Sequence, residues 1–225
     1  ESLKPYYRQF CKRPCFHDSY LQTFNRDTVE LVDTNGQGVE RITQRGVVAG
    51  GKEYEVDCII FATGFEVGTG FQRVSGLEIY GRDGLSLSDK WADGIRTLHG
   101  MHIHGFPNCF LMSTIQGGFT VNYPHMLDEV ATHVAHIVGH ALAIEKEVVE
   151  TSAEAEARWV QTILDKGVRG GIIGDETCTP GYYNNEGKPR AHFEQMVSYG
   201  DGPIPFFNLL AKWRDTGEFA GLTID

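Results

Sequence analysis

The stretch DCIIFATGF, residues Asp57–Phe65, is the strongest indication of the fold in this chain. Residues from Glu53 onward alternate between polar and apolar types, and a continuous apolar run follows from Cys58 to Ala62. Such a run is typical of a strand covered on both faces, as in an α/β sheet. We therefore predict a buried strand over residues 53–63. In doubly wound sheets dinucleotides bind at the carboxyl ends of strands, but an ordinary strand followed by a turn fits the spacing equally well.

The rest of the chain reads as helices, short strands and long glycine-rich loops. The predicted helices cover residues 18–24, 130–149, 152–165 and 205–219, and the other predicted strands cover residues 29–33, 45–51 and 108–112. Ser152 and Pro124 are residue types that favour the first turn or cap of a helix. The pattern indicates an α/β fold with long loops and carboxyl-terminal helices.

Composition and charge argue against several classes of protein. The 225 residues are 41% apolar and 22% charged, which is globular composition, and the net charge is −10. A nucleic-acid binder usually shows a basic surface, so we predict no nucleic-acid partner. No apolar run is long enough to span a bilayer, and five cysteines do not resemble a secreted disulfide framework. We predict a cytoplasmic protein without a membrane partner.

Two groups of histidines are candidate metal ligands. The first is His99, His102 and His104; the second follows one face of a predicted helix at Glu129, His133, His136 and His140. Neither group has the ligand spacing of a known metal motif. We therefore predict no metal site, with these side chains facing solvent or only partly buried.

Two motifs taken together resemble class B flavin-dependent monooxygenases of the Baeyer–Villiger type. One is the Asp57–Phe65 stretch with its Ala-Thr-Gly-Phe ending. The other is a Lys12-Arg13 pair followed by a helix containing Tyr20 and by FNRxxVxLVD at residues 24–33. Further similarity lies at Lys90-Trp91, Gly105-Phe106-Pro107-Asn108, His125-Met126-Leu127 and Gly187-Lys188-Pro189-Arg190. The likeness extends over nearly the whole chain.

The resemblance is to the carboxyl-terminal portion of such an enzyme, because the FAD and NADP glycine loops and the Phe-x-Gly-x-x-x-His fingerprint do not occur. It implies a flavoprotein with two Rossmann-like dinucleotide-binding domains. Residues 1–65 would complete the NADP-binding domain, and residues 66–225 the FAD-binding domain with active-site loops and helices. We expect an amino-terminal segment or partner chain to supply the missing glycine loops.

The resemblance also implies a reaction and its residues. The reaction is NADPH- and dioxygen-dependent conversion of a ketone into an ester or lactone through a flavin peroxide, with FAD and NADPH as cofactors. Arg13 matches the active-site arginine, which holds the peroxide anion and then the negative oxygen of the adduct. Lys12 matches the residue that favours the NADP phosphate, and Met126 matches a position near the flavin ring. Taken alone, Lys12 and Arg13 also fit a solvated basic pair.

Two other functions fit the same resemblance. A relative that oxygenates sulfur or nitrogen is the first, although Arg13 favours ketone attack because a cation stabilises the anionic peroxide. The second is a non-catalytic fragment, or a subunit that needs a partner chain. The loop Cys178–Gly187, with Tyr182, Tyr183, Asn184 and Asn185, either lines a substrate pocket or is a plain surface loop.

Overall fold

The computed structural model describes residues 2–5, 7–9, 11–64, 71–167, 178, 183–184, 188 and 191–225. The chain divides into two compact units, Glu1–Glu66 and Val67–Asp225, and each is described by itself. Helices and strands are mixed, as predicted, and both sheets among the described residues are antiparallel. No helix in this described part is long and apolar enough to cross a membrane.

The first unit holds one short helix and a three-stranded sheet. Helix α1 is Tyr20–Thr23, and the sheet consists of β1 (Arg41–Ile42), β2 (Gly46–Ala49) and β3 (Lys52–Glu55), in the order β1-β2-β3. The predicted strand over residues 45–51 and its Gly-Gly turn are confirmed. Gly50 and Gly51 connect β2 to β3 with φ of 58° and 75°, a conformation in which glycine avoids the steric cost of a side chain.

The predicted strands over residues 53–63 and 29–33 are largely wrong. Strand β3 ends at Glu55, and residues 57–64 and 29–33 have no regular structure. Ile60 is 85% exposed and Phe61 is 71% exposed. A covered strand needs neighbours that pair with its N–H and C=O groups and layers that bury both faces. Within the described residues, no strand pairs with residues 57–63, so the apolar run lacks the surroundings that its pattern predicts.

The second unit is built mainly on three helices. Its elements are α2 (Phe71–Ser75), a 3₁₀ turn (Arg82–Gly84), α3 (Leu87–Lys90), α4 (Tyr123–Ala143), β4 (Val149–Thr151), α5 (Ala153–Lys166), a second 3₁₀ turn (Phe193–Gln195), α6 (Pro203–Thr216) and β5 (Leu222–Ile224). Strands β4 and β5 pair antiparallel. Helices α4, α5 and α6 contribute most of the main core, with Met126, Val130, Trp159, Ile163, Phe206 and Leu210 among its buried residues.

Helix α4 differs from its predicted bounds at both ends. It begins seven residues earlier than predicted, because the Asn122 side chain accepts a hydrogen bond from the His125 N–H (3.2 Å) and Pro124 occupies the first turn. It ends at Ala143, and Glu145 then takes a positive φ of 56°. The predicted strand over residues 108–112 is wrong: Phe110 makes one isolated bridge, with His102.

The start of α5 was predicted correctly, and its cap gives a stability test. The Ser152 hydroxyl accepts a hydrogen bond from the Ala155 N–H (3.2 Å). We expect Ser152→Ala to lower the free energy of unfolding by about 1 kcal/mol, because the first turn of α5 loses the side-chain acceptor that caps it. Urea unfolding measures this loss. Ser152→Asp retains an acceptor and is the matched control, so equal losses in both variants would contradict the cap.

Candidate functional site

Lys12 and Arg13 form a basic pair on the first unit. Lys12 is half-buried as a residue, and its ammonium lies 5.3 Å from the centre of the Tyr7 ring, within the range of a cation–π contact. Arg13 is exposed, and within the described part of the chain its guanidinium has no hydrogen bond or ion pair. A permanently charged planar group of this kind suits a phosphate or a developing oxyanion. Arg13 is therefore open to an anionic ligand.

The backbone around the pair is fixed on both sides. The Cys11 side chain is buried, and the Cys11 N–H donates to the Arg8 carbonyl oxygen (3.1 Å). Pro14 follows Arg13 and restricts it to extended backbone conformations. The two cations thus occupy a short extended connection that leads toward α1.

Met126 lies in the second unit and serves there as a core residue. Its side chain is completely buried, and its N–H donates to the Asn122 carbonyl oxygen (3.2 Å). Neither the thioether nor the N–H is open to a ligand in this structure. A role of Met126 near a flavin ring therefore stays a prediction, and its observed contribution is packing.

The loop over residues 178–187 is described only in part. Tyr182 and Asn185 lie outside the described residues. Asn184 is buried, and its side-chain amide donates to the Cys178 carbonyl oxygen (3.1 Å). This hydrogen bond joins two of the described positions, Cys178 and Asn184.

The two histidine groups of the sequence meet in the interior of the second unit. The ring centre of His133 lies 5.8 Å from that of His99 and 6.3 Å from that of His102, and all three side chains are buried. The prediction of exposed or partly buried histidines is wrong for these three, because α4 turns this part of its face inward. His136 and His140 do lie nearer the surface and stack on Phe219.

Burial keeps these three histidines neutral. Burial lowers the pKa of His102 to about 4 and holds the pKa of His99 well below its ordinary value. Burial, together with the nearby His102 and Arg214, lowers the pKa of His133 to about 3. One ring nitrogen of each has no hydrogen-bond partner among the described residues, namely His99 Nδ1, His102 Nε2 and His133 Nε2. Across the described residues, no group of three or more potential ligands is arranged to hold a metal ion.

Gln116 is a buried hub that the sequence did not reveal. Its side-chain oxygen accepts from the Thr97 N–H (3.1 Å) and hydroxyl (2.6 Å), and its amide nitrogen donates to the carbonyl oxygens of Ile95 (2.7 Å) and Gln195 (2.9 Å). The Gln116 carbonyl also accepts from the Trp159 indole. The hub fixes the segment that precedes α4. A glutamine beside two glycines carries no signal of such a role.

Several known proteins are similar to this chain in sequence. No protein-family model matches the chain. Pentalenolactone D synthase from Streptomyces exfoliatus is 53% identical over 225 residues, which is 99% of this chain and 38% of the relative. Baeyer-Villiger monooxygenase ATR8 from Stachybotrys chlorohalonatus is 46% identical over 100% of this chain and 36% of the relative. The chain thus spans less than two fifths of the length of either relative.

Solved structures give the same result. The polycyclic ketone monooxygenase of Thermothelomyces thermophila superposes with a TM-score of 0.86 at 34% identity, over 99% of this chain and 36% of its own. Cyclohexanone monooxygenase from Rhodococcus sp. Phi1, bound to NADP+, gives a TM-score of 0.70 at 29% identity, over 96% of this chain and 39% of its own. The resemblance is confirmed: in sequence and fold, this chain is homologous to a portion of Baeyer–Villiger flavin monooxygenases.

Proposed function

We propose that this chain is the carboxyl-terminal portion of a flavin monooxygenase that converts ketones into esters or lactones. The observation that carries the proposal is the match of nearly the whole chain to a polycyclic ketone monooxygenase at a TM-score of 0.86. The overall reaction consumes one ketone, one dioxygen, one NADPH and one proton, and yields the ester or lactone, NADP+ and water. FAD, when bound, supplies the activation of dioxygen.

Arg13 is the residue proposed to act in the chemistry. Insertion of oxygen beside a carbonyl places negative charge on the carbonyl oxygen before the ring or chain rearranges. A fixed cation aimed at that charge stabilises it, and one good donor contributes about 3 kcal/mol. The exposed guanidinium of Arg13, without a partner among the described residues, fits this task. A cation at this place favours ketone oxygenation over oxidation of sulfur or nitrogen.

Lys12 is proposed to bind the 2′-phosphate that distinguishes NADPH from NADH. We expect Lys12→Ala to lower kcat/KM for NADPH by about 10- to 100-fold, since a hydrogen bond to a charged group contributes about 1.5–3 kcal/mol. The kcat/KM for NADH should stay within about twofold. Steady-state kinetics with both nucleotides measures the ratio. Lys52→Ala, which removes an exposed lysine paired with Glu30, is the control; an equal loss with both nucleotides would contradict the assignment.

Other parts of the enzyme are proposed to come from an amino-terminal segment or a partner chain that carries the FAD and NADP glycine loops. The exposed apolar residues Ile59, Ile60 and Phe61 support this, because a contiguous exposed apolar patch is typical of a surface that another segment covers. The assignment of residues 1–65 to the NADP domain and 66–225 to the FAD domain is part of the proposal. A cytoplasmic location, where NADPH is available, completes it.

Flavin retention separates this proposal from a non-catalytic fragment. The 225-residue chain is produced alone and together with the amino-terminal segment of pentalenolactone D synthase, and each purified sample is examined by visible absorption. We expect flavin bands only in the combined sample. A combined sample in which the two chains associate without flavin would overturn the proposal, and so would tight flavin binding by the 225-residue chain alone.

A further inference from the structure

His133 occupies a buried position between two of the main helices. It lies on α4, and its Nδ1 is 3.4 Å from Nη1 of Arg214 on α6. The ring centre of Trp213, also on α6, lies 4.8 Å from that of His133. His133 is completely buried, and Arg214 is half-buried.

The chemistry of the two groups fixes the protonation of His133. A guanidinium donates hydrogen bonds and cannot accept them, so Nδ1 of His133 must be the acceptor and carries no proton. The neutral ring therefore holds its proton on Nε2, which has no hydrogen-bond partner in the described part of the chain. A second proton can enter only at Nδ1. That proton breaks the contact with Arg214 and leaves two cations 3.4 Å apart.

The titratable and charged groups around His133 come from three parts of the second unit. The segment before Phe110 contributes His99 and His102, and α6 contributes Arg214. The titratable residues nearest along α4 are Glu129 and His136, about one turn to either side. The interactions with His102, Arg214 and His136 all disfavour protonation of His133.

Uncharged rings complete the surroundings. Trp159 of α5 lies 4.8 Å from His99, and Phe110 lies 5.5 Å from His102, both measured between ring centres. These two rings pack against His99 and His102, and Trp213 is the uncharged ring that packs against His133 itself. Helices α4 and α6 therefore pack stably around neutral His133, and the same packing is strongly disfavoured when His133 is a cation.

We propose that the His133–Arg214 contact is an acid-sensitive latch, which holds α4 to α6 while His133 is neutral and releases them when His133 takes a proton. The proposal rests on this geometry and is independent of the proposed enzyme activity. In the unfolded chain a histidine takes up its proton near its ordinary pKa, about 6.5. The folded unit resists protonation until much lower pH, so its stability is complete above about pH 6.5 and falls as the pH drops below that value.

Urea unfolding of the complete enzyme that contains this chain, at pH 7.5, 6.0 and 5.0, tests the latch. Tryptophan fluorescence reports on the cluster, because Trp159 and Trp213 contact its rings, and circular dichroism reports on the helices. For the wild-type protein we expect His133 alone to lower the folding equilibrium constant by about 30-fold between pH 7.5 and 5.0, and the buried His99 and His102 add to the total fall. The His133→Gln variant should lose the part of the pH dependence that His133 contributes. The His125→Gln variant, at an exposed position on the same helix, should retain it.

Three outcomes would overturn the latch. The first is a wild-type equilibrium constant that does not change between pH 7.5 and 5.0. The second is equal pH dependence in His133→Gln and wild type. If His133→Gln does not fold at pH 7.5, Arg214→Gln takes its place and the pH range is extended to 3.0, which reaches the pKa of about 3 of folded His133. This variant keeps the three histidines but removes the second cation, so its acid loss between pH 7.5 and 3.0 should be smaller than that of wild type. An unchanged acid loss in Arg214→Gln is the third.

Discussion

Replacing Arg13 by alanine is expected to lower ketone oxygenation by about 10²- to 10³-fold in a complete, flavin-loaded enzyme that contains this chain. The physical reason is the loss of a fixed cation beside the oxygen on which negative charge develops. Reduction of the flavin by NADPH does not need that cation to the same degree, so it should continue. Rapid-mixing absorbance follows flavin reduction, and product analysis follows oxygenation, in the same preparation.

Two further substitutions make the Arg13 result specific. Arg41→Ala removes an exposed guanidinium elsewhere in the first unit and should leave oxygenation unchanged. Arg13→Lys keeps the charge but loses the planar fork of donors, so an intermediate rate is expected. Oxygenation at the normal rate in Arg13→Ala would show that the assigned role is wrong.

Phe206→Ala is expected to give the largest loss of stability, about 3–5 kcal/mol in the free energy of unfolding. Phe206 on α6 is completely buried, and its ring centre lies 5.8 Å from that of Tyr199 and 6.1 Å from that of Trp159. Gly118 lies so close that an added Cβ would meet the Phe206 ring. Alanine leaves a cavity that rigid neighbours on several elements cannot fill.

Urea unfolding at pH 7.5, above the range in which the buried histidines lower stability, measures the loss. Ile204→Ala is the matched control, because Ile204 is on the same helix but is 61% exposed; its loss should stay below about 0.5–1 kcal/mol. Similar losses in the two variants would contradict the packing described for Phe206.

Local chemistry in the sequence predicted the start of α5 and one turn correctly, although α4 begins seven residues before its predicted start. Ser152 caps α5 as expected, and the Gly50-Gly51 turn joins β2 to β3. These features depend on residues close together in the chain, so the sequence contains all their determinants. The Asp57–Phe65 stretch failed as a strand for the opposite reason. Its structure depends on partner strands and covering layers, which no strand among the described residues provides.

The candidate site likewise combines features that the sequence indicated with features that depend on tertiary packing. The exposure of Arg13 agrees with a ligand-binding cation, and the motif resemblance drew attention to it. The meeting of His99, His102 and His133 was not predictable, because it depends on how α4 packs against a distant segment. The hydrogen bonds of Gln116 likewise join Thr97, Ile95 and Gln195, which are remote along the chain. Tertiary packing, and not residue type, created both features.

The most direct test of the proposed function is incorporation of oxygen from ¹⁸O₂ into a ketone. The enzyme containing this chain is supplied with FAD, NADPH and either cyclohexanone or a polycyclic ketone, and the product is examined by mass spectrometry. The proposal predicts an ester or lactone that carries one ¹⁸O atom, with one NADPH consumed for each product molecule. Unchanged ketone in a flavin-loaded sample that still oxidises NADPH to give hydrogen peroxide would contradict it.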